Sequence, residues 1–496
     1  MSAALMSVHP VLALQDTSST VLLHRWQFGF NLIYHYLYPQ LTMGLILLIV
    51  VLETLYLRRG HEFYKKAADF WVRIFAPAFV IGAVTGIPLE FGFGTNWAVF
   101  STVSGGVIGQ TVALEGVFAF FVESAFLGLY LYGGDAFGKR VRWFSAFMVF
   151  LGSWASGYFI LTVNAWMQNP ISYRTLPDGN LAIVHFWKLL LNPWMFHQYI
   201  HVMGGAVVTA SFAMAGIGAF YLLARRDVQF GRLFVTLGVI AGLASSLWMI
   251  YPSGDMESAA LAEKQPIKLA AAEGLFHTEK GASLTIIGQP NLQTMQIDNP
   301  IELPKILSFL SYRSFEATVK GLEAFPRSLW PNVPLTYYSY HIMVGLGTIF
   351  AAVMLLAALM LWRGRLFRSR RMLWLLLLIM PFPFITNTVG WVVAESGRQP
   401  WIIYGVMKTA QGASRLVNAG NVYFTIAGLA GLFLLLSVLY VIVVLKEVHQ
   451  GPEAPQSEDV ERLEKEIREI IPGRRALQER RREEPIESGR EEKVRG

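Results

Sequence analysis

Gly390-Trp391-Val392-Val393-Ala394-Glu395-Ser396-Gly397-Arg398-Gln399-Pro400-Trp401 closes a long apolar run with one carboxylate, one guanidinium and two indoles. An ionised Glu395 or Arg398 at the edge of hydrocarbon is costly, so such groups are paired, hydrated or bound to a cofactor. The simpler alternative is an interfacial anchor, with Trp391 and Trp401 in an aromatic belt and Arg398 snorkelling to the polar layer. Both readings require the preceding run to span a membrane.

That run is one of several. Of 496 residues, 54% are hydrophobic and only 15% are charged. Apolar segments of the ~20 residues needed to cross about 30 Å of hydrocarbon recur along most of the chain. The expected fold is an all-α integral membrane protein, a bundle of about nine transmembrane helices; no β-barrel alternation competes. The spans are placed at 27–56, 67–90, 107–132, 142–166, 197–224, 232–252, 336–362, 372–395 and 421–446.

Residues 1–26 read as an interfacial N-terminal segment without the basic start of a cleavable signal peptide. Residues 27–252 carry helices one to six, 253–335 a long polar connection, 336–446 helices seven to nine, and 447–496 a charged tail. The connection is far longer than an ordinary helix–helix link, which argues for a functional loop. The tail mixes both signs of charge without an apolar stripe, as a solvated helix followed by disorder does.

A net charge of +7 raises the question of nucleic acid, but Lys and Arg concentrate in short loops after odd-numbered spans. Arg58, Arg59, Lys65 and Lys66 follow the first, Lys139, Arg140 and Arg142 the third, Arg225, Arg226 and Arg232 the fifth, and Arg363 to Arg371 the seventh. That pattern sets topology: N-terminus outside, C-terminus cytoplasmic, connection 253–335 extracytoplasmic, no nucleic acid. There is no cysteine. Disulfides, thiolate catalysis and iron–sulfur clusters are excluded, and redox chemistry needs a cofactor held by His, Met or carboxylate.

Topology converts positions into depths, at about 1.5 Å per helical residue. His35, His201, Met343 and Glu395 all fall in the outer half of the bundle, and His/Met and carboxylate ligation suit haem without thiolate. His197, one turn before His201, serves equally by spacing, and each ligand alone is also compatible with packing. Glu115 and Glu123, about 12 Å apart along one helix and offset by roughly 80°, read as carboxylates in series on a proton path, against a protonated pair that merely packs. In the outer loop, Lys268 and Glu273 place a cation and a carboxylate near the surface, where they suit a quinol losing protons on oxidation or form only a surface ion pair.

At these residues the chain resembles subunit I of the cytochrome bd quinol oxidases, including the cyanide-insensitive branch. Gly390-Trp391, Glu395 and Gly397-Arg398-Gln399-Pro400-Trp401 fit the family signature G-W-x-x-x-E-x-G-R-Q-P-W. Phe93-Gly94-Thr95-Asn96-Trp97 and Asn164-Ala165-Trp166-Met167-Gln168-Asn169-Pro170 are further family-like strings within a match over about residues 20 to 446. The resemblance implies three haems: a low-spin haem b between His201 and Met343, and a high-spin pair, haem b with haem d or a third haem b, ligated by His35 and Glu395. It implies Arg398 as a charge-balancing group, Trp391 beside a high-spin haem, Glu115 and Glu123 on the proton path, and Lys268 and Glu273 at the quinol site of loop 253–335. It further implies a second large membrane subunit, small single-span subunits, and a bacterial inner membrane location.

The implied activity is quinol:O2 oxidoreduction, with quinol oxidised outside and O2 reduced to water with cytoplasmic protons, conserving energy by charge separation without a pump. Two departures from the family stand out. His341 occupies the position of an Arg in many members, two residues before Met343, which removes a fixed positive charge. The loop is also of the short type. The competing functions are a proton-coupled transporter, for which internal repeats are expected and none is evident, and a haem b electron-transfer subunit that never meets O2.

Overall fold

The computed structural model describes residues 17–453; residues 1–16 of the N-terminal segment and the charged tail from residue 454 lie outside the described residues. Among the described residues nine helical segments are long and apolar enough to cross a membrane. The first is α1 (Thr17–Tyr36) followed by α2 (Pro39–Arg59), and the second is α3 (Glu62–Thr95). The third is α4 (Ala98–Gly116) running through a wide π turn, Val117–Glu123, into α5 (Ser124–Tyr132). Then come α6 (Lys139–Gln168) and α7 (Pro193–Ala224). The sixth is α8 (Val228–Trp248), a second π turn at Met249–Gly254, and α9 (Asp255–Lys264); the short α10 (Pro266–Glu273) follows it. The last three are α11 (Val333–Trp362), α12 (Arg370–Ile379) joined to α13 (Phe382–Ser396), and α14 (Ala419–Gln450).

Three details differ from the hydropathy reading. The first span is two helices, because Pro39 opens α2 without an N–H and α1 ends in a turn closed by Tyr38 N–H on His35 O, 3.1 Å. The uncharged stretch 91–106, expected as a loop, is almost wholly helical, with Asn96-Trp97 as the corner between α3 and α4. Its aromatic residues explain this, since Phe93 and Trp97 pack edge-on against Phe28 of α1, Trp97 buried and Phe93 half-buried. Thirdly, the connection after residue 252 begins as helix and becomes a folded cap. An antiparallel hairpin, β1 (Leu284–Asn291) with β2 (Gln296–Leu303), and short helical pieces enclose a small core of Leu269, Phe276, Leu307, Val319 and Leu322.

The bundle is organised on α7, whose apolar window is 78% buried, against 6% for α14 at the periphery. Close approach is made by small residues, as membrane packing requires without a hydrophobic force between helices. A Cβ on Gly44 of α2 would lie 2.1 Å from the Ala206 carbonyl oxygen of α7. Phe63 stacks on Phe230 at 4.5 Å and Phe70 on Phe234 at 5.5 Å, joining α3 to α8.

Near the arginine-rich end, opposite the cap, Arg142 bonds Glu53 Oε1 through Nε, 2.9 Å, and Nη2, 2.7 Å, and Asp69 through Nη2, 2.5 Å; Tyr130 donates to the same Glu53 oxygen. Glu53 is fully buried and Arg142 5% exposed. Breaking a buried pair leaves an uncompensated charge. Arg142→Met is therefore expected to cost about 3–5 kcal/mol, read as a lower unfolding midpoint in detergent, with most of the loss recovered by adding Glu53→Gln.

Candidate functional site

Two of the expected iron ligands face one cavity of about 1200 Å³, lined by His35, Tyr36, Trp391, Glu395 and Arg398 among others. Single small-molecule sites run to about 300–1,000 Å³, so this one is large enough for more than one group. His35 reaches it because α1 ends one residue later. Its Nδ1 lies 3.2 Å from Thr85 Oγ1, which donates to Ile81 O at 2.8 Å. A second partner of this kind orients an imidazole and leaves Nε2 for a metal. The ring also needs Gly86 beside it, where a Cβ would stand 3.3 Å from Cε1.

Glu395, 28% exposed toward the cavity, is held from both sides. Asn164 Nδ2 donates to Oε1 at 2.7 Å and Arg398 Nη2 to Oε2 at 2.5 Å, while Gln198 of α7 fixes Asn164 Oδ1 at 2.8 Å. Trp391 packs edge-on against Tyr36, centroids 5.6 Å apart, on the same wall. Arg398 is only 3% exposed, yet its Nε and Nη1 have no protein partner. Burial works against its charge and Glu395 supports it. A buried guanidinium with two unused N–H groups at a cavity rim calls for an anionic group in that cavity.

Glu115 and Glu123 line the same cavity. Ser156 donates to Glu115 Oε1 at 3.2 Å, and Ser153 bonds the buried Glu123. The π turn between them replaces the offset expected of a regular helix, and both carboxyls open on one space. A third carboxyl joins them. Glu90, at the end of the second span, hydrogen-bonds Glu115 and borders the cavity. Its signal was an acid two residues after Pro88, inside an apolar run.

His201 and Met343 do not line the large cavity. His201 Nδ1 lies 2.9 Å from Ser253 Oγ in the second π turn, again leaving Nε2. His197 is placed differently, with a buried Nδ1 that has no protein partner. Met343 sits against α13, its Sδ 3.0 Å from where a Cβ of Gly390 would be. Helices α7 and α11 both pack on α13 and on the Met249–Gly254 turn. His341 points into the cap, its ring nitrogens 2.9 Å from the carbonyl oxygens of Tyr337 and Thr285.

Lys268 and Glu273 are buried at 3% exposure each but face different neighbours, as their offset of about 140° on a helix dictates. Lys268 Nζ donates to Ala394 O at 3.0 Å. Its burial holds the ammonium below the ordinary lysine range; Glu395 pulls it up, Arg398 pushes it down and Glu257 pulls it up. Glu273 turns to α11, where Tyr340 bonds it and Oε2 stays without a protein partner; burial pushes it up to about 7 against the Tyr340 bond. Gln265 fastens the same loop to α6, donating to Gln168 O at 2.7 Å, while Gln168 donates to Ala394 O at 3.1 Å.

Among the described residues no three His, Asp or Glu side chains gather as a bare-metal site. Single His and Glu donors beside a roomy cavity with an unsatisfied buried arginine instead fit a metal macrocycle that brings most of its own ligands and its own anionic groups. The fold and site define a multi-pass membrane protein whose bundle holds haem. Residues 23–452 match the family described as cytochrome bd terminal oxidase subunit I, and the chain belongs to that family.

The chain is 37% identical over 422 residues to cytochrome bd ubiquinol oxidase subunit 1 of Bacillus subtilis (strain 168), covering 82% of this chain and 89% of the relative. To cytochrome bd-II ubiquinol oxidase subunit 1 of Escherichia coli (strain K12) it is 30% identical over 479 residues, covering 82% and 91%. The solved bd oxidase from Geobacillus thermodenitrificans superposes with a TM-score of 0.81 at 30% identity, covering 88% of this chain and all of that one. The protein is thus a subunit of a terminal respiratory oxidase in a bacterial inner membrane, acting with a second subunit. The transporter and the electron-transfer subunit that bypasses O2 are set aside.

Proposed function

We propose that this chain is the haem-bearing subunit of a quinol:O2 oxidoreductase that oxidises quinol at its cap and takes the protons for water formation from the arginine-rich, cytoplasmic end. His201 and Met343 would hold a low-spin haem b, and His35 and Glu395 a high-spin haem b with haem d or a third haem b. Bound there, haem would supply one-electron redox chemistry and a place for O2 to react. The observation that carries this reading is Arg398, buried at the cavity rim with two N–H groups open for an anionic substituent and its third nitrogen on Glu395.

The chain's own groups divide the remaining work. Lys268 positions and polarises a quinol oxygen, and Glu273 Oε2 receives a proton and passes it outside. Glu123, then Glu115 with Glu90, carry protons inward to the cavity, while Trp391 and Tyr36 wall the haem pocket. Electrons entering at the cap and protons entering at the far end separate charge without a pump. Small single-span subunits beside the second large subunit complete the assembly. Extracted-haem analysis and oxygen uptake with quinol on the purified complex test the reading; absence of haem or of quinol-driven uptake overturns it.

Glu273 accepts a proton only when ionised. With its pKa near 7, quinol oxidation is expected to rise with pH through about pH 7, because the accepting form is lost below it. Glu273→Gln should lower the rate and weaken this acidic limb. An unchanged limb in steady-state kinetics would count against the assignment.

A further inference from the structure

Lys268 and Glu273 read as a pair in the sequence, yet each faces a different helix. Besides Glu395, the carboxylate whose charge reaches Lys268 is Glu257, in the first turn of α9. Glu257 is part-exposed, but its Oε1 is buried and has no protein partner. The other acids of α9 are engaged, Asp255 by Arg313 and Glu263 by Lys264 at 2.6 Å. Glu257 also follows Ser253 by four residues, one turn along the segment, and Ser253 bonds the His201 imidazole. It therefore lies on the segment that joins the Ser253 turn, bonded to an expected haem ligand, to the loop that carries Lys268.

From this geometry we infer that Glu257 is a second catalytic carboxylate of quinol oxidation, taking the proton of the hydroxyl that Lys268 holds, while Glu273 takes the other. The inference rests on the proposed quinol site at Lys268. Each hydroxyl O–H bond breaks with its electrons left on the ring, and one proton goes to Glu257 Oε1 and one to Glu273 Oε2. The ring becomes the quinone, and two electrons leave for the chain of acceptors that ends on O2. Lys268 is suited to its part because the bond to Ala394 O uses one of its three ammonium hydrogens. Two protons match the two buried, unpartnered carboxylate oxygens that α9 and α10 supply.

The test uses the full oxidase complex with short-chain ubiquinol and menaquinol analogues as probes. Glu257→Gln is expected to lower kcat by about 100-fold, the scale of a lost proton acceptor, with KM within about twofold and the reduced-minus-oxidised spectrum unchanged. Glu257→Asp should recover part of the rate, and the solvent deuterium isotope effect on kcat should grow in the Gln variant as proton release becomes limiting. A Glu257→Gln enzyme with near wild-type kcat, or one altered only in KM, overturns the role. Lys268→Met separates the two levels. If it keeps full quinol oxidation, the quinol site itself is misplaced; if it loses activity while Glu257→Gln does not, only the Glu257 role fails.

Discussion

Oxygen uptake is expected to fall by more than about 100-fold in Glu395→Gln, with loss of one high-spin haem from each subunit and retention of the low-spin spectrum. The amide keeps the shape and the contact with Asn164, but it removes the anionic donor and the partner of Arg398 Nη2. Arg398 would then be a buried cation with three unpaired nitrogens, a state that costs several kcal/mol. The variant should therefore also unfold earlier than the wild type, and Arg398→Gln added to it should restore stability without restoring haem. His201→Leu and Met343→Leu are the converse controls, each removing the low-spin spectrum selectively. A full haem complement with normal uptake in Glu395→Gln would sink the ligand assignment.

The second large effect is expected at Glu123. Its carboxyl is 4% exposed, bonded to Ser153 and placed between the arginine-rich end and the cavity that Glu115 also borders. Glu123→Gln keeps the packing but cannot pass a proton, so turnover with O2 should fall by about 100-fold or more. Anaerobic reduction of the haems by quinol should proceed at the normal rate, because it needs no inward proton. Glu90→Gln should cost less, since Glu115 keeps its bond to Ser156. Normal oxygen consumption in Glu123→Gln would remove it from the path.

The spans were legible in hydropathy, and the site was legible wherever a charge interrupted an apolar run, as Glu395, Glu115 and Glu123 do. What pattern did not carry was phase and partnership. A π turn has no hydropathy signature, so the relative facing of Glu115 and Glu123 could not be read from 3.6-residue geometry. Pro39 was visible, but the apolar run across it hid the break that places His35 at a helix end. Asn164 and Gln198, which position Glu395 from two other helices, are ordinary amides in the sequence. Glu257 sat in a polar loop crowded with acids, where nothing distinguished it from Asp255 or Glu263 until their partners were known. His341, read as a lost charge, turns out to tie α11 to β1 of the cap.

The peptide carbonyl of Ala394 receives both Lys268 from the cap and Gln168 from α6, and the next residue is Glu395. With both lone pairs engaged, that peptide cannot rotate without breaking a bond to one side or the other. The cap is thus mechanically geared to the carboxylate that faces the large cavity. A bulky occupant that shifts Lys268 will tug on the backbone next to Glu395, and such compounds should perturb the high-spin spectrum from a distance, without entering the cavity where O2 is expected.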